Sequence, residues 1–310
     1  MKKIKKILKN PLFIFVLGGI FFSSIVVMAE SINSNEVIYD NSSSLSSATD
    51  VQGALDEVFN TLDKVGSGYS LIAHAPEGLS MELVGGLYRY QGATVNNYIC
   101  FGTTEKNTCT GDTDKYMYQI MGVNEVRQMK LIKKESINGT QYSWNSTSGE
   151  IWPNSDLFEG LNGNYFLTNT YYISDSTWSN RIAISTWNYA IISDINIDSH
   201  TMYDTEMSAP TIDAKIGLMY LHDYYYGLPG GNNCSSDSIC KKSWIFPTNN
   251  YNSKTYEWFI TRAWRLSTTG TVNSAGSIAF DYPARPVFFL RATERIASGS
   301  GTLADPYILS

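Results

Sequence analysis

The apolar run Ala284–Leu290, ARPVFFL, constrains the fold of this chain more than any other feature. A strand that is buried on both faces reads as a continuous apolar run, and a proline near its start removes no essential ladder hydrogen bond. The run therefore predicts a closing strand. The polar segment before it, within Glu257–Leu290, predicts a region displayed from a rigid base, which favours binding over catalysis.

The composition indicates an exported, β-rich protein. The 310 residues suffice for one large or two ordinary domains. Charged residues make up 17% and aromatic residues 13%, with 21 tyrosines, which is typical of loop-rich extracellular proteins. Because five lysines precede the first apolar run, the net charge of −6 leaves about −11 for the rest of the chain, which argues against a nucleic-acid partner.

The first 30 residues predict a signal anchor or a signal peptide. Basic residues 2–10 precede the uncharged run Pro11–Ala29, which is long enough to span a bilayer. The lysines on one side orient the N-terminus toward the cytoplasm, so we expect a single-pass membrane protein, held through residues 11–29, with an exported C-terminal domain. The string Val27-Met28-Ala29 fits a signal peptidase, so secretion after cleavage is the alternative.

Residues 31–48 predict a Ser-rich spacer, and residues 49–66 predict an amphipathic helix that ends at Gly66-Ser67-Gly68. A capping box opens the helix, and a heptad stripe follows at Val51, Leu55, Val58, Leu62 and Val65. The helix packs on the main domain or forms an oligomeric neck, a homotrimer through residues 49–65. SATDVQGALDEVFNTLD resembles the neck helix of tail-fibre-like and surface proteins, which precedes a display domain and often trimerises.

The four cysteines form two local pairs, Cys100/Cys109 and Cys234/Cys240. Neither pair has the CxxC spacing of a metal site, and an exported chain oxidises cysteines that lie this close. The pattern predicts two disulfides that staple loops. Free or metal-bound thiols are the alternative.

The main domain is expected to cover residues 79–310. Alternating apolar residues predict strands at Leu83–Gln91, Tyr116–Val123 and Val126–Lys133, and a buried strand at Ala214–Tyr220. Apolar spacing predicts two helices, one capped by Asp156 and reaching Phe166, the other at Trp178–Trp187. A polar loop is expected at Asp194–Ser208.

Short strings occur in a characteristic order: GLYRYQG, NNYICFGT, YQIMGV, MKLIK, AKIGLMY, YEWFITR, ARPVFFL and SGSGTLADPY. In this order, residues 79–310 resemble the anchored surface proteins of low-GC Gram-positive bacteria that carry a C-type-lectin-like domain. That domain is related in fold to formylglycine-generating enzymes and to the variable proteins of retroelements. The resemblance implies an α+β fold of twisted antiparallel sheets with two helices and long loops.

Residues suited to catalysis are few. The three histidines, His74, His200 and His222, are widely spaced, and no motif of nucleophilic or metal-dependent catalysis is present. We expect His222 beside Asp223 to be structural. A glycosidase needs two carboxylates across a cleft, and Glu257 and Asp281 are the candidates for them. No metal site and no cofactor are predicted.

Residues suited to recognition are abundant before the closing strand. Rigid aromatic rings beside adaptable polar groups are typical of binding surfaces. The expected ligand contacts are Trp264, Arg265, Thr268, Asn273, Asp281 and Tyr282, with half-buried packing as the alternative for Trp264 and Tyr282. The resemblance implies that this region carries the displayed residues, and we expect Trp258 and Arg285 in the core.

These observations predict a non-catalytic, adhesin-like protein of the cell surface that binds an extracellular glycan or protein. One alternative is an exported enzyme of formylglycine-generating-enzyme-like ancestry. Another is a structural component of a fibre or envelope.

Overall fold

The computed structural model of this chain describes residues 67–74, 76–137, 142–145, 151–163, 165–173, 175–189, 192, 197–228, 243–245, 256–261, 264–267, 272–274, 279 and 281–310. Contacts divide the chain between Lys64 and Val65, and all described residues belong to the second unit. The predicted anchor, spacer and neck helix, residues 1–66, lie outside the described residues. In the described part, no helix combines the length and the apolar character that crossing a membrane requires.

The described residues form an α+β fold with antiparallel sheets, so the predicted fold class is confirmed at this level. Seven α-helices are described: α1 Ser67–His74, α2 Lys106–Gly111, α3 Thr113–Tyr116, α4 Asp156–Asn162, α5 Ser176–Arg181, α6 Ser199–Met207 and α7 Leu221–Tyr226. Six of them lie within residues 79–310, where two were predicted. A 3₁₀ turn covers Trp152–Asn154. The strands are β1 Leu79–Val84, β2 Leu87–Tyr90, β3 Tyr98–Cys100, β4 Met117–Asn124, β5 Met129–Lys133, β6 Tyr142–Ser143, β7 Ser185–Asn188, β8 Thr211–Ala214, β9 Tyr256–Trp258, β10 Trp264–Ser267, β11 Val272–Ser274, β12 Asp281–Tyr282, β13 Val287–Phe289, β14 Ile296–Ser298 and β15 Ile308–Leu309.

The central sheet has the order β1-β2-β4-β5-β13, and β3 also pairs with β4. Every pair in this sheet is antiparallel. The predicted strands Tyr116–Val123 and Val126–Lys133 are confirmed as β4 and β5, with ends shifted by at most three residues. All five residues of β5 are buried, so both faces of the sheet are covered at this strand.

The predicted closing strand is present as β13. It pairs with β5, where Val287 lies opposite Ile132 and Phe289 lies opposite Lys130. On its other side, Val287 exchanges two backbone hydrogen bonds with Gly217, at N···O distances of 2.8 and 3.0 Å. A Cβ atom at Gly217 would lie 2.4 Å from the Trp187 ring, so only glycine brings this backbone close enough.

Aromatic rings fill the core beneath β13. The Phe288 ring is fully buried and lies 4.9 Å from the Phe101 ring centroid, 5.5 Å from that of Tyr118 and 6.2 Å from that of Phe166. Large buried rings supply much of the apolar area that stabilises a core. The closing strand therefore packs the centre of the fold.

The predicted strand Leu83–Gln91 is wrong as a single strand. The structure divides it into the β1–β2 hairpin, because Gly85 and Gly86 form a two-residue turn with φ angles of 53° and 74°. A type I′ hairpin turn needs positive φ at both central residues, which glycine adopts without strain. The Gly-Gly string was the available signal.

The predicted helix Trp178–Trp187 is wrong in its second half. Helix α5 ends before Ile182, which forms a β-bridge with Leu290, and the Ala183 amide donates to the Phe289 carbonyl oxygen at 2.8 Å. The chain then enters β7, which pairs with β8. Pairing with the closing strand therefore overrides the helical spacing.

The predicted loop Asp194–Ser208 contains helix α6. Its N-cap, Asp198, accepts hydrogen bonds from the backbone amides of His200 and Thr201 at 2.9 and 3.0 Å. The helix lacks an apolar stripe, so hydrophobic spacing did not reveal it.

Three further boundaries differ from the predictions. The first predicted helix is α4, which ends well before Phe166 and is capped by Ser155, not Asp156. Ser67, expected to end the neck helix, begins α1. The predicted strand Ala214–Tyr220 is limited to the end of β8 and the bridge at Gly217, because the chain turns there to reach β13.

Cys100 and Cys109 form the first predicted disulfide. Both cysteines are fully buried and join the end of β3 to α2, packed with Met117 and Ile308. Cys234 and Cys240 lie outside the described residues.

Replacing Phe288 with alanine should lower the free energy of unfolding by about 3–5 kcal/mol, because it leaves a cavity among three rings. Ile184→Ala is the control, since Ile184 is 69% exposed and its removal should change stability by less than about 0.5 kcal/mol. Denaturant unfolding of both variants and of wild type measures the two changes in unfolding free energy. Equal effects would contradict the placement of β13 in the core.

Candidate functional site

The stretch that was expected to bind a ligand forms short antiparallel strands. Strands β9, β10 and β11 make a three-stranded sheet with β10 in the middle. Strand β12 pairs with β6, and the Trp258 amide donates to the Pro283 carbonyl oxygen at 3.2 Å, which joins β9 to the segment after β12. The two small sheets are thus connected.

The register brings three of the six predicted contacts together. Arg265 lies opposite Asn273 on one neighbouring strand and opposite Trp258 on the other. Trp264 is adjacent on β10, opposite Ser274.

Asp281 begins β12, lies opposite Ser143 and is exposed. Thr268 lies outside the described residues.

A row of buried rings lies under this region. The Trp258 ring is fully buried, with centroids 4.8 Å from the Tyr282 ring and 5.6 Å from the Trp144 ring, which in turn lies 5.4 Å from Trp152. Tyr282 is only 8% exposed. Its position favours packing, the alternative that the sequence left open for this residue.

Arg285 and Glu257 form a buried ion pair that ties the closing segment to β9. Arg285 Nε donates to Glu257 Oε1 at 2.8 Å, and Nη2 donates to the Ile245 carbonyl oxygen at 2.8 Å. Burial raises the pKa of the Glu257 carboxyl, although Arg285 opposes this shift. Glu257 is thus engaged by Arg285 inside the protein, while Asp281 is exposed, so the two carboxylates differ in environment.

A second cluster of ionisable groups is buried between the central sheet and α7. The Asp223 carboxylate accepts from Arg89 Nη1 at Oδ1 and from Lys130 Nζ at Oδ2, both at 2.6 Å. All three side chains are at most 3% exposed. Burial alone would raise the pKa of Asp223, but Lys130 and Arg89 hold it far below its ordinary value.

Glu206 and His222 complete this cluster. Glu206 Oε2 lies 2.6 Å from His222 Nδ1, and the backbone amides of Leu221 and His222 donate to the Glu206 carboxylate at 3.0 Å. The Thr261 hydroxyl also donates to Oε1. Burial lowers the pKa of His222, although Asp223 and Glu206 oppose the shift. His222 Nε2 lies 3.5 Å from Asp223 Oδ1, so this neighbouring pair does face each other.

Sequence reasoning singled out His222 and Asp223, with a structural role expected, but missed Arg89, Lys130 and Glu206. Arg89 precedes Asp223 by 134 positions and Lys130 precedes it by 93, so no local pattern connects them. The partial signal was a lysine inside the apolar string MKLIK, since a lysine on a buried strand requires a partner.

Lys133, at the end of β5, is also a buried lysine. Its ammonium donates to the Asp114 carbonyl oxygen and lies 5.2 Å from each of the ring centroids of Tyr118 and Tyr172. Burial lowers the pKa of Lys133 to about 7, although the carboxylates of Asp114 and Glu135 oppose the shift.

Within the described ranges, no group of three or more His, Cys, Asp or Glu side chains is placed to hold a metal ion. Comparisons with protein families, curated proteins and solved structures found no match for this chain.

The lowered pKa of Lys133 predicts a pH-dependent stability. An unfolded lysine has a pKa of about 10.4, so above pH 7 the unfolded chain holds a proton that the folded chain lacks. Stability should therefore rise with pH between about 7 and 10, by at most about 1.4 kcal/mol per pH unit, and this contribution is lost as the pH falls through 7.

The Lys133→Met variant removes this titration and leaves the others in place. The difference in unfolding free energy between wild type and variant should rise from pH 7 to pH 9 in urea titrations. A constant difference would show that Lys133 stays charged in the folded protein.

Proposed function

We propose that this chain is a non-catalytic recognition protein of the cell surface. It binds an extracellular glycan or protein ligand through the surface of strands β9 to β12. One observation carries the proposal: the register pairs Arg265 with Asn273 and Trp264 with Ser274, on a sheet whose neighbouring strand carries the fully buried Trp258.

The buried base favours binding, because it limits how much of the surface must become ordered when a ligand binds. The Trp258 ring packs on Tyr282, and Arg285 joins Glu257, so β9 and the closing segment are held from below. A surface already ordered before contact loses less conformational entropy on binding. Tryptophan and arginine supply large contact areas and are enriched among the residues that dominate binding energy.

The other segments of the chain present this surface outside the cell. Residues 11–29 anchor the chain in the cell membrane, residues 31–48 form a spacer, and residues 49–66 form a neck. Residues 79–310 form a C-type-lectin-like domain, as the order of short strings suggests. If the neck assembles three chains, several weak sites act together and gain avidity.

Alanine substitution of Trp264 or Arg265 should weaken binding at least about tenfold, which corresponds to about 1.4 kcal/mol. The full chain is first screened against immobilised glycans and extracellular surface proteins, and the strongest ligand is then titrated against each variant. Val126→Ala is the matched control, because Val126 is 65% exposed at the β4–β5 turn in another sheet.

The control should bind as wild type does, and all variants should keep their unfolding midpoints. Unchanged affinity in Trp264→Ala and Arg265→Ala would show that the ligand binds at another surface. Turnover of a screened compound would favour the exported enzyme, and stable assembly without ligand would favour the fibre component.

A further inference from the structure

Lys130 and Asp223 meet in a site that water does not reach. Lys130 Nζ lies 2.6 Å from Asp223 Oδ2, and both side chains are buried. Three rings surround the ammonium, with centroids at 4.7 Å for Tyr220, 5.7 Å for Phe289 and 5.8 Å for Trp187. An amine and a carboxyl group that are held in contact away from solvent are placed to condense to an amide. The two groups need no diffusional encounter, and water does not compete with the amine for the carboxyl carbon.

The charges around the pair permit this change. The cluster contains two buried cations, Arg89 and Lys130, and two buried carboxylates, Asp223 and Glu206, beside His222, whose pKa burial lowers. Removing one cation and one carboxylate leaves Arg89 and Glu206, so the net charge of these four side chains does not change. Burying an ion pair costs desolvation energy, and an amide bears no charge that needs this compensation.

We propose that Lys130 and Asp223 become joined by an intramolecular amide bond. The Nζ–Cγ bond forms and the Cγ–Oδ2 bond breaks. An ammonium and a carboxylate together hold the atoms of one amide and one water molecule, so the step needs no oxidant, reductant or other reagent. The ammonium passes one proton to Oδ2 along the hydrogen bond, and the second proton follows as water leaves.

The surrounding groups act on the other carboxylate oxygen. Arg89 Nη1 donates to Oδ1 at 2.6 Å, where negative charge develops when the amine attacks Cγ. Arg89 is held in this position by the carbonyl oxygens of Val84 and Gly85, at 2.6 and 2.7 Å. His222, oriented by Glu206, has Nε2 3.5 Å from Oδ1 and can transfer a proton there.

The bond joins strand β5 of the central sheet to α7. Lys130 lies on β5 and Asp223 on α7, 93 residues apart. A covalent bridge across this separation restricts the unfolded chain and stabilises the fold by the same mechanism as a disulfide, but does not respond to reductants. This suits a protein exposed outside the cell.

Mass spectrometry of the full chain tests the proposal. After reduction and trypsin digestion, peptide 128–133 should be recovered joined to peptide 216–241, with a mass lower than the sum of the two by one water molecule. Trypsin should also fail to cleave after Lys130. Recovery of free 128–130, 131–133 and 216–241 as the main products from folded wild type would overturn the proposal.

Two variants separate this bond from other causes of a mass difference. Lys130→Arg keeps the positive charge but offers a guanidinium that does not attack a carboxylate, so the joined peptide should disappear. Lys134→Arg is the matched control, because Lys134 is also paired with a carboxylate, that of Glu135, and it should retain the joined peptide. Loss of the joined peptide in both variants, or in neither, would contradict the assignment to Lys130.

Discussion

The rest of the structure depends on the two ion pairs that the buried Asp223 carboxylate forms with Arg89 and Lys130. It joins β2, β5 and α7, three elements that the chain reaches at widely separated points. Removing one partner of such a buried group lowers the free energy of unfolding by about 3–5 kcal/mol, because the charge that remains has no partner of opposite sign. The cluster therefore ties α7 to two strands of the central sheet.

The same cluster supports the candidate binding surface. Lys130 lies opposite Phe289 of the closing strand. Strand β5 therefore contributes a residue to the ionic cluster and also pairs with the strand that packs the aromatic core. The Thr261 hydroxyl reaches Glu206, and the Ile260 amide donates to the Met219 carbonyl oxygen at 3.0 Å. The segment after β9 is thereby fixed to the residues before α7. The segment that follows β9 is thus connected to the buried ionic cluster.

Sequence reasoning succeeded where local composition determines structure and failed where distant contacts do. The apolar strings around Lys130 and Phe288 predicted two strands of the central sheet, and the spacing of Cys100 and Cys109 predicted their disulfide. The residues after Arg181 follow a helical spacing but form a strand, because they pair with the closing strand. In the candidate site, residue types indicated the stretch, whereas the Arg285–Glu257 pair beneath it depends on register and burial that no local pattern shows.

Hydrogen exchange at the first turn of α7 tests this account most directly. The amides of Leu221 and His222 have no acceptor within the helix, and they donate to the buried Glu206 carboxylate. They should exchange only when the whole domain unfolds, whereas the Thr177 amide, which donates to exposed Asp175 at the start of α5, should exchange through local opening. If Leu221 and His222 exchange as quickly as Thr177, the buried cluster does not organise the fold.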